Sequence, residues 1–170
     1  LAQVDRLTKM VNDILRAGSL AENALRDEKK LRVDRIVAEV IDDYRLLARA
    51  RRVTCRLDLV PTFTKANYDM MHHVISNLIS NAVRYSEVGS VVKVTCRQHR
   101  LVIINKCQPL TQAQLRRVFD PFYHTDRQVS SESDGSGVGL YIVKMLLEAK
   151  GLEYSFSPVK QGMAFTIYFP

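Results

Sequence analysis

The stretch from Asn67 to Tyr85 constrains the fold of this chain more than any other segment. When the sequence is projected at 100° per residue, its apolar residues fill one half of a helix, as a core-facing surface should. These residues are Met71, Val74, Ile75, Leu78, Ile79, Ala82 and Val83. The sequence therefore predicts a long amphipathic helix whose apolar half faces a core.

The polar half of this helix differs from an ordinary solvated surface. After Asp69 it has neither a carboxylate nor a lysine, and it consists of His73, Ser76, Asn77, Ser80, Asn81 and Arg84. Asparagine is a poor helix former, yet Asn77 and Asn81 stand four residues apart, which places their amides on one face. Such a pair can hold a hard cation or a polar ligand. Two chance surface asparagines are the alternative that this helix alone leaves open.

Length and composition indicate one ordinary domain with an appendage. The chain has 170 residues, of which 46% are hydrophobic and 25% charged. We find no run of about 18 apolar residues and no signal peptide, and the start at Leu1 without a methionine suggests a piece of a longer protein. The three cysteines lack metal-ligand spacing, which favours a reducing, cytosolic setting.

The chain is basic, with a formal net charge of +7. Positive charge is densest at Arg45, Arg49, Arg51, Arg52 and Arg56. Aromatic residues do not interleave with these arginines as they do in single-strand-binding grooves, so nucleic acid is not a predicted partner. We interpret the cluster as a solvated helix end, with a partner-binding surface as the alternative.

The first 25 residues predict a helix with a narrow apolar stripe. Val4, Leu7, Val11 and Ile14 step by three, four and three, which is a coiled-coil spacing. Isolated helices of this length are marginal in water, so we expect this one to pack on a second copy of the chain or on a helix that precedes residue 1. Gly18 can weaken or end it.

The middle of the chain alternates between strand and helix patterns. Residues 31–33 can form an edge strand, Asp34 can cap a helix that runs to about residue 51, and residues 53–59 alternate as a half-buried strand. After the long helix, residues 90–97 and 101–105 predict a hairpin.

The C-terminal third adds two helices and two strands. Thr111 can cap a short helix that runs to about residue 118, and the polar segment 124–136 predicts a mobile loop or lid. A helix over 138–149 ends at Gly151, and strands over 152–157 and 163–169 follow. This order predicts an α+β fold, a mixed sheet with helices on one face, and a domain junction near residue 27.

A glycine-rich stretch is the second signal that points to chemistry. Three of the seven glycines of the chain, Gly135, Gly137 and Gly139, fall within five residues at the predicted start of a helix. Glycines let the backbone approach a ligand, and the free N–H groups of a helix start attract phosphate. A plain turn from loop to helix is the alternative. The stretch fits neither a Walker loop nor a Rossmann fingerprint.

Three ordered motifs resemble the catalytic ATP-binding domain of bacterial sensor histidine kinases. They are Asn77-x-x-x-Asn81-x-x-Arg84-Tyr85, Phe119-Asp120-Pro121-Phe122-Tyr123 and Gly135-x-Gly137-x-Gly139-Leu140. The resemblance covers residues 27–170, and residues 4–15 resemble the end of the second helix of the dimerisation and phosphotransfer domain. It implies a mainly antiparallel mixed sheet covered by helices on one face, the two-layer α/β sandwich of the gyrase-type (GHKL) ATPases. The implied domains are therefore 1–26 and 27–170.

The resemblance also implies a ligand and roles for individual residues. Asn77 would hold Mg²⁺, Asn81 would contact Mg²⁺ or the phosphates of ATP, Arg84 would meet phosphate and Tyr85 would lie near the nucleotide. The phosphates would be lined by Gly135, Ser136, Gly137, Val138, Gly139 and Leu140. Phe119 and Phe122 would anchor the lid. The implied reaction is transfer of the γ-phosphoryl group of ATP to a histidine, by positioning and charge neutralisation.

Several positions depart from the family pattern. Fourteen residues before the phenylalanine motif, where the family places an adenine-binding Asp, stands Asn105, and the glycines that normally follow are Cys107 and Pro109. His124 replaces the usual Arg at the end of the phenylalanine motif, and Ala164 stands where the usual Thr beside adenine is expected. These changes predict weak or relaxed recognition of the base, and they motivate an alternative: a degenerate nucleotide-binding module that signals through protein contacts.

No histidine of the chain fits the family's phosphoacceptor, which is normally followed by an acidic residue. The residues after the four histidines are His, Val, Arg and Thr. The acceptor is therefore expected upstream of Leu1, and no autophosphorylation is expected from this chain alone. His73 precedes Asn77 by four residues, where gyrase-type enzymes carry a water-activating Glu, so it can align the transfer or be a plain helix-face histidine.

The expected partners follow from the resemblance. They are a second copy of the kinase, a response regulator and, through upstream segments alone, a membrane, with this part of the protein in the cytoplasm. An anti-sigma-factor-type serine kinase of the same superfamily is disfavoured by the coiled-coil spacing of residues 1–25.

Overall fold

A five-stranded sheet covered by helices on one face forms the body of the molecule. The computed structural model describes residues 1–123 and 137–170. The main sheet contains β2 (Thr54–Leu59), β4 (Val91–Arg97), β5 (Arg100–Lys106), β6 (Glu153–Val159) and β7 (Gly162–Tyr168), in the order β2-β4-β5-β7-β6. Only the β2–β4 pair among these neighbours is parallel. The predicted α+β sandwich with a mixed, mainly antiparallel sheet is confirmed.

The covering layer contains the predicted central helix, α4 (Tyr68–Tyr85), together with α2 (Val33–Asp43) and α6 (Gly139–Lys150). The Asn67 side chain caps α4 by accepting a hydrogen bond from the N–H of Met70 at 3.0 Å. All seven apolar residues predicted for its core face are buried. They pack against alternate side chains of the sheet such as Leu101 and Ile103, so periodicity in the helix and alternation in the strands meet in one core.

The segment between residues 29 and 66 differs from prediction at three points. The edge strand forms as β1 (Lys29–Arg32), but it pairs with an unpredicted strand, β3 (Phe63–Ala66), in a separate two-stranded sheet. The predicted helix over 34–51 is broken at Tyr44 into α2 and α3 (Arg45–Ala50).

The third correction concerns Asp34, which does not cap α2. It lies within the first turn, and Arg32 takes the N-cap position without a side-chain cap. The Asp34 carboxylate accepts hydrogen bonds from Arg32 at 2.7 and 3.0 Å and from the Thr62 N–H at 3.0 Å. The hydrogen bonds from Arg32 lower the pKa of this buried carboxyl. Asp34 therefore joins the start of α2 to the chain that leads into β3.

The remaining turns follow the sequence signals. Gln98 and His99 both adopt positive φ, of 51° and 60°, as a two-residue hairpin turn between β4 and β5 requires. Thr111 forms a capping box with Gln114 at the start of the short helix α5 (Gln112–Leu115), and Gly151 ends α6 in the left-handed conformation.

The N-terminal helix, α1 (Ala2–Glu22), continues through Gly18, where it was expected to weaken or end. Its C-terminal part packs mainly on α6, and Ala17 belongs to the main core together with Ala24. The stripe is left open at Val4, Leu7 and Val11, which are 59%, 59% and 53% exposed. The division at residue 27 stays a prediction. Among the helices that the structure describes, none combines the length and the apolar character needed to cross a membrane.

Candidate functional site

The polar half of α4 has several distinct environments rather than one solvated surface. Ser76 shares a hydrogen bond of 2.9 Å with the Tyr44 hydroxyl at the junction of α2 and α3, and Ser80 is buried. Asn77 and Asn81 point toward the first residue of α6. The unusual polarity of this helix therefore reflects contacts with neighbouring elements and an open space between α4 and α6.

The Asn77 side chain is oriented by its own helix. Its Nδ2 donates a hydrogen bond to the His73 carbonyl oxygen at 3.1 Å. Because the donor end of the amide is used in this way, the oxygen Oδ1 is left to face Gly139. An amide oxygen fixed in this orientation can accept a cation or a donor group from a ligand.

Gly139 lets α6 approach this pair of amides closely. A Cβ atom placed on Gly139 would lie 3.2 Å from Asn77 Oδ1 and 3.4 Å from Asn81 Nδ2, which is tighter than ordinary contact. The N–H groups of the first turn of α6 have no partner within the helix, so this end attracts anions. The structure thus brings the asparagine pair and the last glycine of the sequence motif together.

These residues line an open cavity between α4 and α6. It encloses roughly 490 Å³, part of which is open solvent, and its wall is mostly polar. The lining residues are Asn77, Ser80, Asn81, Arg84, Tyr85, Val118, Tyr123, Gly137, Gly139 and Leu140. Ser80, Val118 and Tyr123 were not predicted from the sequence. Seven predicted site residues therefore share one cavity.

The C-terminal turn of α4 is held by an arginine from the basic cluster. Arg51 donates hydrogen bonds to the Val83 carbonyl oxygen at 3.0 Å and to the Ser86 carbonyl oxygen at 3.3 Å. These carbonyls flank Arg84 and Tyr85, both of which line the cavity. Burial raises the pKa of the Tyr85 hydroxyl, against an opposing effect of nearby arginines. Arg51, one member of the basic cluster, therefore stabilises the C-terminal end of α4.

Positive charge dominates the described wall of the cavity. Arg84 lines it, and none of its described lining residues is a carboxylate. Across the described ranges, moreover, we find no group of three or more His, Cys, Asp or Glu side chains arranged to hold a metal ion. An arrangement of amides, a helix start and an arginine suits a polyanion that brings its own metal ligands.

His73 lies one turn before Asn77 and does not line the cavity. Its Nε2 atom is buried without a hydrogen-bond partner among the residues that the structure describes. Burial lowers its pKa, and the charges of Arg16 and His72 add to this effect while Asp13 opposes it. The observed contribution of His73 to the cavity is its carbonyl, which orients Asn77.

The phenylalanine motif directly precedes residues 124–136 in the sequence. Phe119 enters an aromatic cluster with Tyr154, Phe156 and Phe165, at ring distances of 5.8 to 6.4 Å. The Phe122 ring is 50% exposed. Phe122 instead acts through its backbone, since its N–H donates to the Gly137 carbonyl oxygen at 3.1 Å. This bond joins the two chain ends that border the segment.

Three predicted site residues, His124, Gly135 and Ser136, fall outside the described residues, as does the predicted lid over 124–136. Val138 is described and fully buried, where it precedes the first residue of α6.

The predicted base-binding residues sit on the sheet and not in the wall of the cavity. Asn105, near the end of β5, is buried with 9% of its surface exposed, and it pairs with Met163 of β7. Directly paired residues on antiparallel strands share a face. Ala164 pairs with Ile104, so it lies on the face opposite to Asn105, and the two residues predicted beside the base do not share a face. Met163 is the β7 residue that lies on the same face of the sheet as Asn105.

The close approach of β7 to Asn105 depends on a second glycine. A Cβ atom on Gly162 would lie 2.1 Å from the Asn105 carbonyl oxygen, which no side chain could tolerate. Gly162 therefore fixes the register that places Met163 against Asn105.

Comparison with known families supports a nucleotide site. Residues 66–170 match the family described as histidine kinase-, DNA gyrase B-, and HSP90-like ATPase. This match begins at the end of β3 and includes α4, the cavity and the last strand.

Curated relatives are similar over nearly the whole chain. The sensor histidine protein kinase HK06 of Streptococcus pneumoniae is 31% identical over 166 residues, covering 97% of this chain and 37% of the relative. The sensor histidine kinase CusS of Escherichia coli is 32% identical over 175 residues, covering 100% of this chain and 36% of the relative. The chain thus spans little more than a third of these proteins.

A solved structure shows the same fold. The histidine kinase AdeS of Acinetobacter baumannii matches with a TM-score of 0.76 at 24% identity, over 99% of this chain and 80% of that one. The match includes α1 as well as the sandwich, since it extends over nearly every residue.

Proposed function

Because the chain belongs to the histidine kinase-, DNA gyrase B- and HSP90-like ATPase family, we propose that it is the ATP-binding catalytic domain of a two-component sensor histidine kinase. In this role it positions Mg-ATP for transfer of the γ-phosphoryl group to a histidine that lies outside this sequence. The observation that carries the proposal is the meeting of Asn77 and Asn81 with the start of α6 at Gly139. The relatives, which are named sensor histidine kinases, support the same reading.

The donor set of the cavity fits a magnesium ion that arrives with the nucleotide. Mg²⁺ takes oxygen ligands in octahedral geometry and retains several waters, so one protein oxygen together with phosphates can suffice. Asn77 Oδ1 would supply that oxygen, because Nδ2 is held by the His73 carbonyl. When bound, Mg²⁺ would neutralise charge on the phosphates.

The remaining residues of the wall would bind the phosphates. The first-turn N–H groups of α6, which begins at Gly139, would donate to phosphate oxygens, and Asn81 and Arg84 would face the same group. Tyr85 and Leu140 would lie beside the nucleotide. We assign Gly137, whose φ is 78°, to the turn that brings the chain into α6 at this point.

The partners and the setting are part of the proposal. A second copy would contact the open stripe of α1, and a response regulator would receive the phosphoryl group from the histidine. The chain would form a cytoplasmic part of a membrane-anchored sensor. The relatives do not favour the alternative of a degenerate module, since they are named as kinases.

Calorimetric titration of the chain with Mg-ATP tests the binding step. We expect a dissociation constant in the micromolar to millimolar range, and an absence of heat at millimolar nucleotide would contradict the proposal. A longer protein that carries a candidate acceptor histidine tests the transfer step. Acid-labile phosphate should form on it with radiolabelled ATP, and the Asn77→Ala variant should abolish this product.

A further inference from the structure

Asn105 is a buried polar side chain whose amide has no partner within the described part of the chain. Only 9% of its surface is exposed, yet no residue of 1–123 or 137–170 forms a hydrogen bond with its side chain. Asp34, which is buried to a similar degree, has hydrogen bonds from Arg32 and Thr62. No described residue satisfies this amide, so solvent or a ligand must supply its hydrogen bonds.

The surroundings fix the backbone of Asn105 and leave its side-chain amide free to rotate. Gly162 brings β7 against the Asn105 carbonyl, and Met163 packs beside it while its sulfur accepts the Leu110 N–H at 3.4 Å. Within the described ranges, His73 Nε2 is the one side-chain nitrogen or oxygen that is both cut off from solvent and unpartnered. The Asn105 amide therefore keeps its small remaining exposure at its polar atoms, where a ligand can reach them.

Its position fits the base of a nucleotide whose phosphates occupy the cavity. Asn105 lies on the helix-covered face of β5, as Leu101 and Ile103 do, and α4 packs on this strand. The asparagines of α4 and the amide of β5 thus belong to the same interlayer space. This step rests on the proposed function, because that function places a nucleotide there.

The chemistry of an amide differs from that of a carboxylate at such a position. An ionised carboxylate only accepts hydrogen bonds, whereas Asn105 presents one oxygen acceptor and one NH₂ donor that exchange places when the amide rotates by 180°. Adenine carries an amino group at position 6, and guanine and hypoxanthine carry a carbonyl oxygen there. A carboxylate suits the first and repels the second, because two acceptors would face each other. An amide can pair with either.

We propose that the base subsite at Asn105 accepts 6-oxopurine nucleoside triphosphates as well as ATP. The subsite reads a purine edge without selecting the group at position 6. A single uncharged amide, on a strand whose backbone Gly162 fixes and with a side chain that can rotate, is the structural cause of this tolerance.

Competition against a fluorescent ATP analogue tests the proposal with ATP, ITP and GTP, each with Mg²⁺. ITP is the decisive probe, since its base differs from adenine at the amide-reading edge and lacks the extra amino group of guanine. We expect dissociation constants for ITP and ATP within about tenfold of each other. The isosteric Asn105→Asp variant should lower the affinity for ITP at least about tenfold relative to the affinity for ATP, because it introduces a group that only accepts hydrogen bonds.

A matched control places the same charge change at the other end of β5. Gln98→Glu converts an exposed amide to a carboxylate in the hairpin turn, and it should leave the ratio of ITP to ATP affinity unchanged. ITP binding about a hundredfold weaker than ATP in the unmodified chain would overturn the inference while leaving the proposed function intact. Equal ratios in the unmodified chain and Asn105→Asp would also overturn it. Failure of all three nucleotides to bind would instead remove the proposed function and the inference with it.

Discussion

A negative charge introduced at Asn81 tests the phosphate side of the cavity directly. The Asn81 amide lies beside Gly139 at the start of α6, where phosphates are proposed to bind. Asn81→Asp places a carboxylate among them, and like charges about 4 Å apart near a protein surface repel by about 1–4 kcal/mol. We expect Mg-ATP affinity to fall at least about fivefold, measured by calorimetry.

The control for this change is Asn12→Asp, which adds the same charge to an exposed position of α1 and should leave affinity unaltered. Unchanged affinity in Asn81→Asp would show that the phosphates bind elsewhere.

Gly139 allows stability and ligand binding to be separated. In Gly139→Ala the new methyl group would lie 3.2 Å from Asn77 Oδ1, so the amides must move. The alanine gain of about 0.5–1 kcal/mol holds for a helix interior and applies only in part to the first residue of α6, so the free energy of unfolding should change little while ATP affinity falls. Urea unfolding and calorimetry on the same samples measure the two effects.

Gly18→Ala in α1 is the matched control, since a Cβ there meets nothing within 4 Å. It should stabilise the protein by about 0.5–1 kcal/mol and leave affinity unchanged. A loss of stability in Gly139→Ala without any change in affinity would separate this glycine from the ligand site.

His73 should make stability depend on pH near neutrality. Burial lowers its pKa in the folded protein below the value of about 6.5 expected in the unfolded chain; Arg16 and His72 lower it further and Asp13 opposes them. The unfolded chain then binds the proton more tightly, so stability is full above about pH 6.5 and declines as the pH falls below it. His73→Gln should flatten the dependence of the free energy of unfolding between pH 7.5 and 5.5. Parallel profiles for the two proteins would show that His73 is not its source.

Arg51 connects α3 with α4, so a substitution there tests how the two helices support each other. It ties the end of α3 to the carbonyls of Val83 and Ser86 at the end of α4. Arg51→Ala leaves those carbonyls with fewer partners, which should cost about 1–3 kcal/mol of stability. Because the same turn carries Arg84 and Tyr85, ATP affinity should also fall while affinity for adenosine changes less.

Arg49→Ala is the matched control, because Arg49 is an exposed neighbour on α3. It should change neither stability nor binding. Equal losses of ATP and adenosine affinity in Arg51→Ala would indicate general loosening of the fold rather than positioning of the phosphate side.

The sequence predicted best the elements in which an apolar repeat continues over many residues. The seven apolar positions of α4 and the alternation in β4 and β5 report burial directly, because each element packs on one face only. The strand β3 was missed because its four residues pair with β1, more than thirty positions away. The break at Tyr44 was missed because the apolar period continues across it, while its hydroxyl pairs with Ser76 on α4.

The site was predictable to the extent that it is local in sequence. Asn77, Asn81 and Gly139 carry residue types that a plain helix or turn does not need, and the structure brings them together. That Ala164 and Asn105 lie on opposite faces could not be predicted, because the pairing between β5 and β7 sets the strand register. The participation of Arg51 could not be read from a charge cluster in which every arginine looks alike.

At the scale of the whole molecule, α1 has an apolar stripe that no described residue covers. Val4, Leu7 and Val11 line α1 on the side next to the face that packs on α6, and each stays more than half exposed. The stripe shows the coiled-coil spacing, so a second copy could pair with it in an isologous contact. Burying three such side chains from each copy would contribute roughly 1 kcal/mol of association free energy per side chain. The total lies near the lower end of the cost of association, which is about 4–15 kcal/mol.

We therefore expect weak self-association of this chain, visible by sedimentation equilibrium at hundreds of micromolar. Leu7→Lys should abolish it without loss of helix content, because Leu7 makes no core contact that folding requires. Asn12→Lys adds the same charge away from the stripe and should preserve association, apart from a small effect of net charge that salt removes. A chain that remains monomeric throughout this range, or a Leu7→Lys variant that associates as the unmodified chain does, would show that the stripe does not join two copies. The first result would leave the stripe to a helix of a different sequence, and the second would move the contact to another surface.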